Sequence, residues 1–404
     1  MRLLFFLLLS GSLFAASPAV NNDAKDGLDP TRLAQIPVRM KQFVDKGTAA
    51  GIVTLVAHHG KVSALDAVGY TDLESRQPMK ADAIFQIHSM TKPIVALAAM
   101  ILAEEGGLSI GDPVEKHLPE FRGQWVRESQ DSGTMTLRRP VRPVTLRDLM
   151  THTSGMSLNP PEGIKELHGA LHKSLTEVVL VESQQPLEFD PGTKWQYSNT
   201  GIAALARVIE VVSGMPFERF LEARIFQPLG MKDTYLFPPK DKHHRMPSAY
   251  ILKDSKPVKY TADPLGEGAM KFRLGARYSL PEGGLYSTAS DLYSLYQMML
   301  NKGQINGVRL LSSASVEVMT RVHTGDLATS QPGAGWGLGW FVIKEKDGAL
   351  SLLSPGSFGH GGRYGTYCFI DPKKDLIGIF MIHREGGSEE RQAFVAMAES
   401  AVVE

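Results

Sequence analysis

Ser89 and Lys92 stand three residues apart in Ser89-Met90-Thr91-Lys92, the only Ser-x-x-Lys in the chain. A serine hydroxyl is a poor nucleophile until a neighbouring base takes its proton, and a lysine can be that base only if its pKa falls towards neutrality. Ser89 follows the apolar Phe85-Gln86-Ile87 and precedes the apolar stretch Pro93 to Glu105, which predicts a buried helix with proline in its first turn. The serine then lies where free backbone N–H groups and the positive helix end favour an oxyanion. Lys92 falls on the same face, and burial together with the helix dipole pushes its pKa down. Alone, the pair reads more readily as a helix cap and a solvated first-turn lysine.

Two further constellations complement it. Tyr197-Ser198-Asn199 lies between the loop Asp190-Pro191-Gly192-Thr193 and a helix opening at Thr200. A tyrosine near a lysine ammonium can have its pKa lowered and relay protons, while Asn199 can hold substrate by its amide. Gly359-His360-Gly361-Gly362 leads into a strand near Tyr364. Its glycines let an acyl oxygen approach closely, and the N–H just after them, that of Arg363, can complete an oxyanion hole with that of Ser89. Ser157-Leu158-Asn159 is a rival Ser-x-Asn motif for the second position.

The elements that must position these groups are legible in outline. Apolar residues Leu33, Ile36, Met40, Phe43 and Val44 predict a helix from Thr31 to near Gly47. Ile52 to Val56 and Lys61 to Leu65 read as strands around the turn His59-Gly60. Three more strands are expected over Trp336 to Ile343, Tyr364 to Ile370 and Leu376 to His383, with a last helix from Glu389 to Val402. Further helices are expected at Leu146 to Thr151, Thr200 to Val212, Phe217 to Phe226 and Ala289 to Leu300, the last opened by Thr288 and Asp291 at capping-box spacing. Segments 121–143 and 237–282 read as surface loops. Strands at both ends with helices between predict an α+β fold: one antiparallel sheet built from both termini, about 31–90 and 330–404, with a helical inserted lobe at about 91–329.

Composition narrows the function. Lys+Arg and Asp+Glu are 43 each, so the formal charge is zero and no basic field draws nucleic acid or anionic lipid. Arg2, the run Leu3 to Leu9 and the small residues around Ala15-Ala16-Ser17 have the layout of a signal peptide over 1–17, followed by a polar leader over 18–30. Export to the periplasm or medium is the expectation, with no stable membrane span once the signal is cleaved. Cys368, the single cysteine, excludes an intrachain disulfide and a cysteine-based metal cluster and reads as a buried strand residue. Neither a Gly-x-Ser-x-Gly elbow nor His-Glu-x-x-His occurs, and no metal or cofactor is called for. His88 and His152 read as structural histidines.

In order and wide spacing, the three constellations resemble those of the serine β-lactamase and penicillin-binding-protein superfamily, and most resemble class C β-lactamases and family VIII esterases. Val144-Thr145-Leu146-Arg147-Asp148-Leu149-Met150-Thr151-His152-Thr153-Ser154-Gly155 and Gly283-Gly284-Leu285-Tyr286-Ser287-Thr288 are familiar phrases of that family. The resemblance covers roughly 31 to 400 and implies the β-lactamase/transpeptidase-like fold. It implies Ser89 as acylated nucleophile, Lys92 and Tyr197 as joint base and acid, Asn199, His360, Gly361 and Gly362 as substrate contacts, and the Ser89 and Arg363 N–H groups as oxyanion hole. His360-Gly361-Gly362 replaces the Lys-Thr-Gly of class C enzymes, which weakens recognition of a β-lactam carboxylate. Arg363 or Arg384 could supply the missing charge. The resemblance therefore implies an esterase with β-lactams as minor substrates; a D-amino-acid peptidase or amidase and a catalytically silent penicillin-binding or sensor domain are the alternatives.

Overall fold

The computed structural model describes residues 27–131, 133–160, 172–254, 256–260, 275–345 and 352–403. The expected signal peptide and leader residues 18–26 lie outside these. Residues 27–30 belong to the folded body: Leu28 bridges Val402, and the Asp29 N–H donates to Ala401 O at 2.8 Å. The Asp29 carboxylate accepts from the N–H groups of Thr31 and Arg32, which starts helix α1, Pro30–Asp45, with proline at its first position.

Strands β1, Gly51–His58, and β2, Lys61–Asp72, turn at His59-Gly60, both with positive φ (48° and 74°), and β3 is the short Gln77–Pro78. The other strands come from the far end: β4, Ala334–Trp336; β5, Phe341–Ile343; β6, Phe358–Gly361; β7, Tyr367–Asp371; and β8, Leu376–Ile382. Together they form one antiparallel sheet in the order β4-β5-β6-β7-β8-β1-β2-β3. β1 pairs with β8 from Ile52↔Ile382 to His58↔Leu376, so the two chain ends meet at the sheet centre.

Side chains alternate across a strand, and β1 is buried on both faces. Val53, Leu55 and Ala57 face the core under the helical lobe; Ile52 and Val56 face a second core with Ile36, Met40 and Phe43 of α1 and Phe394 of the last helix, α7 (Glu389–Ser400). The helical lobe is built on α2, Lys92–Glu104, whose residues from Lys92 to Leu102 are all buried. Around it stand α3, Leu146–Thr151; α4, Leu175–Ser183; α5, Asn199–Ser213; and α6, Ala289–Leu300. The expected fold class is the one observed, and Cys368 lies buried in β7.

Several segments differ from the sequence expectations, among them the helix Ser313–Thr320 and the strand Phe358–Gly361, neither of which was expected. Trp336 to Ile343 is two strands, because Gly339 turns at φ +80° with no room for a Cβ, which would stand 2.8 Å from Ala96 Cβ of α2. The 121–143 region carries a hairpin, Val126–Asp131 with Thr134–Arg138, whose mostly exposed side chains left no apolar period to read. Within 237–282, Tyr250–Lys253 pairs with Lys256–Lys259, and Arg384–Glu385 adds in parallel; 261–274 lies outside the described residues. Helix α4 was not anticipated, although Ser174 and Glu177 form a complete capping box at its start. The helix at Phe217–Leu221 continues as a π-helical turn over Glu222–Phe226. At α6, Thr288 accepts from the Asp291 N–H, while the Asp291 carboxylate accepts from the Asp233 N–H and the Thr234 hydroxyl.

Candidate active site

Ser89 lies in a single 3-10 turn, His88–Thr91, that runs directly into α2. The turn hangs between two segments. Phe85-Gln86 pairs with Tyr286-Ser287, the Ile87 N–H donates to Leu285 O at 2.9 Å, and the Leu285 N–H donates to Thr91 Oγ1 at 3.2 Å. His88 enters it at φ +46°, a conformation that non-glycine residues adopt only where surroundings impose it. The turn thereby leaves Ser89 half-buried and Lys92 fully buried.

Lys92 Nζ donates to Ser89 Oγ at 3.0 Å and to Glu282 O at 2.6 Å. Burial brings its pKa down to about 7, with the Glu282 carboxylate acting the other way. Near neutral pH a large fraction of Lys92 is therefore a free amine able to accept the serine proton.

Tyr197 closes over this pair. Lys92 Nζ lies 4.7 Å from its ring centroid, and its hydroxyl hydrogen-bonds with Ser89. The lowered pKa expected for this tyrosine is not what the structure gives: burial raises it, and the Ser89 hydrogen bond only partly offsets that. Tyr197 is a phenol at neutral pH, suited to relaying a proton rather than starting as phenolate. Behind it, the His152 ring lies 4.3 Å away at a tilt of 33°. His152 caps α3 at φ +60°, and its Nδ1 accepts from the Ser198 N–H at 3.2 Å, which assigns the ring proton to Nε2. This histidine thus holds the Tyr197 ring and the start of α5 together, and only contacts distant in sequence reveal that.

His360, on β6, is buried; its Nδ1 hydrogen-bonds Gly361 O at 2.7 Å, which leaves Nε2 as an acceptor 3.5 Å from the Tyr197 hydroxyl. Burial, with the Lys92 charge adding to it, lowers its pKa to about 3, so it is neutral throughout the physiological range. Gly362 has no room for a side chain: a Cβ would stand 2.5 Å from Ile87 O and 2.1 Å from Thr366 Oγ1. That contact, with the Thr366 hydroxyl donating to Ile87 O at 3.2 Å and the rings of His88 and Tyr364 edge-on at 4.3 Å, clamps the Arg363 segment against the Ser89 turn.

The rival motif proves to be a neighbour. The Asn199 N–H donates to Leu158 O, its side-chain amide donates to Asn159 Oδ1 at 3.0 Å, and Ser198 and Thr200 hydroxyls both donate to Ser157 O. Ser157 to Asn159 therefore buttresses Tyr197 to Asn199. Of the two arginines considered for substrate charge, Arg384 is buried in a bidentate pair with Glu390 at 2.7 and 2.9 Å and is unavailable. Arg363 is exposed, with Nε donating to Glu385 at 3.0 Å. Among the described residues no group of three His, Cys, Asp or Glu side chains could hold a metal ion, and no single helix is long and apolar enough to cross a membrane.

Comparison with known proteins agrees with this fold. The Beta-lactamase family profile matches residues 39–401. Esterase EstB of Burkholderia gladioli is 31% identical, over 85% of this chain and 90% of its own. The D-alanyl-D-alanine-carboxypeptidase/endopeptidase AmpH of Escherichia coli (strain K12) is 26% identical over 93% of this chain and 90% of its own. Among solved structures, EstCE1, described as a hydrolase with promiscuous acyltransferase activity, superposes with TM-score 0.76 at 26% identity, covering 93% of this chain and 99% of that one. With nearly the whole folded chain matched by the profile, this protein belongs to the Beta-lactamase family.

Proposed function

We propose that this protein is an exported serine hydrolase that works through an acyl-Ser89 intermediate and acts on esters. One observation carries the reading: a buried lysine amine, depressed to about 7, within 3.0 Å of the Ser89 hydroxyl. In the first half-reaction Lys92 takes the serine proton as Oγ attacks the acyl carbon, and the Ser89 and Arg363 N–H groups bind the oxyanion. The intermediate collapses, and the leaving alcohol takes the proton back from Lys92 by way of the Tyr197 hydroxyl. Water then attacks the acyl carbon and gives its proton to the same pair; the second intermediate collapses with cleavage of the bond to Ser89 Oγ, which takes that proton back as the acid is released. Asn199 and the backbone of His360, Gly361 and Gly362 hold the acyl group.

The charge pattern favours an uncharged ester over an anionic β-lactam. His360 is neutral, Arg384 is locked to Glu390, and Arg363 is engaged by Glu385. Export rests on the signal-like segment over 1–17. The test is incubation with a fluorophosphonate, mass mapping of the adduct, and turnover of p-nitrophenyl esters beside nitrocefin and a D-Ala-D-Ala peptide. An adduct on Ser89 with ester turnover dominant is the expected result. Dominant peptide cleavage would instead make it a D-amino-acid peptidase, and absence of any adduct would leave a binding domain. N-terminal sequencing of the mature protein checks export.

A further inference from the structure

Beyond the groups that touch substrate, the loop Tyr278 to Leu285 is buried throughout and stitched to the nucleophile turn at both ends of its final residue, through Ile87 and Thr91. Its tight bend is enforced: Leu280 sits at φ +49°, and the N–H groups of Gly283 and Gly284 both return to Leu280 O, at 3.0 and 2.7 Å. This bend turns the Glu282 carbonyl onto Lys92 Nζ at 2.6 Å while the Glu282 side chain folds back to accept from the Tyr278 hydroxyl at 3.0 Å. Glu282 and Tyr278 are both buried, 7% and 0% exposed. The Tyr278 hydroxyl thus holds the buried Glu282 side chain in one place, on the same residue whose carbonyl meets Lys92.

We propose that Glu282, clamped by Tyr278, is a positioning residue that supplies the fixed negative charge beside Lys92 and so sets the pH at which Ser89 becomes reactive. The proposal rests on Ser89 and Lys92 being the reacting pair. The other titratable groups around Lys92 are Tyr197, His88, His152 and His360, and burial holds all four neutral. Glu282 is the charge that acts on Lys92, in the direction that keeps its proton on. Without that charge, the amine would lose its proton at lower pH and the serine would be active in more acid conditions.

The experiment is the rate of fluorophosphonate labelling of Ser89 between pH 5 and 9 in the full-length protein. In Glu282→Gln the midpoint of the acid limb moves down by about one pH unit, the size expected for loss of one nearby opposite charge. Tyr278→Phe, which keeps the ring and removes the donor, moves it the same way by less. Glu282→Asp, which keeps the charge, leaves it near the wild-type position. An unmoved or raised midpoint in Glu282→Gln, with only the plateau lowered, would reduce Glu282 to a packing role. If that variant does not fold, Tyr278→Phe and Glu282→Asp carry the test, and identical midpoints in those two overturn the proposal. Failure of wild-type Ser89 to label at any pH would overturn the reacting pair itself, a distinct outcome.

Discussion

Among the described residues two basic side chains, Arg384 and Lys92, are buried, and they have been treated in opposite ways. Arg384 is enclosed by a bidentate contact with Glu390 and a hydrogen bond to Thr48 O, so its charge is matched by a carboxylate while its Nε makes no hydrogen bond. Lys92 is enclosed by a serine hydroxyl, a main-chain carbonyl and a tyrosine ring, which solvate an ammonium only in part. The first arrangement makes a rivet between the C-terminal helix and the segment that follows β8. The second makes an amine that gives up its proton near neutrality. Burial is common to both, and the partner decides whether it yields a fixed charge or a usable base.

The largest effect expected is on chemistry. If the proposed roles hold, Ser89→Ala abolishes the fluorophosphonate adduct, read by mass mapping, and Lys92→Met slows ester turnover by roughly 10³-fold, read by single-turnover kinetics. Tyr197→Phe follows, with a loss of roughly 10²–10⁴-fold. On the other side of the comparison, Arg384→Met strands the Glu390 carboxylate in the core and costs about 3–5 kcal/mol. Urea denaturation reads that, while Ser89 labelling of the folded fraction stays within a few-fold of wild type. Equal damage to labelling would break the distinction between rivet and base.

A smaller effect sharpens it. Lys92 is depressed from the ordinary 10.5 to about 7, so between those values the unfolded chain binds more protons than the folded one and stability rises with pH. The penalty is complete below about 7 and gone above 10.5. Lys92→Met should therefore raise the Tm at pH 7 by a few degrees, and the gain should shrink as the pH approaches 10. Differential scanning calorimetry across that range measures it. Turnover of the wild type should also rise with pH through about 7, since the free amine is the active form.

Ser89, Lys92, Tyr197 and His360-Gly361-Gly362 were legible because each belongs to a short motif at the start of a helix or along a strand, and their order supplied the rest. What the sequence hides is who stands behind them. His152 precedes Ser198 by 46 residues and Glu282 follows Lys92 by 190, so neither contact has a local signature. The direction of the Tyr197 shift was misread for the same reason: burial is a property of the assembled cleft, and proximity to lysine was all the sequence offered. In the fold, helices with apolar faces and capping residues were readable to within a residue or two, as at α3 and α6. The exposed hairpin at Val126–Arg138 and the turn at Gly339 were not, since one has no buried face and the other depends on the closeness of Ala96.

The pairing of Ile52 with Ile382 bears on how the enzyme comes into being. Strand β1 cannot find its neighbour until some 330 residues later in the chain, and Gly362 cannot press on Ile87 until then either. Contacts of such long sequence separation close late and slowly in folding. The Arg363 segment is therefore brought against the Ser89 turn late in folding, so a truncated chain would carry Ser89 and Lys92 without the full set of groups proposed to activate them.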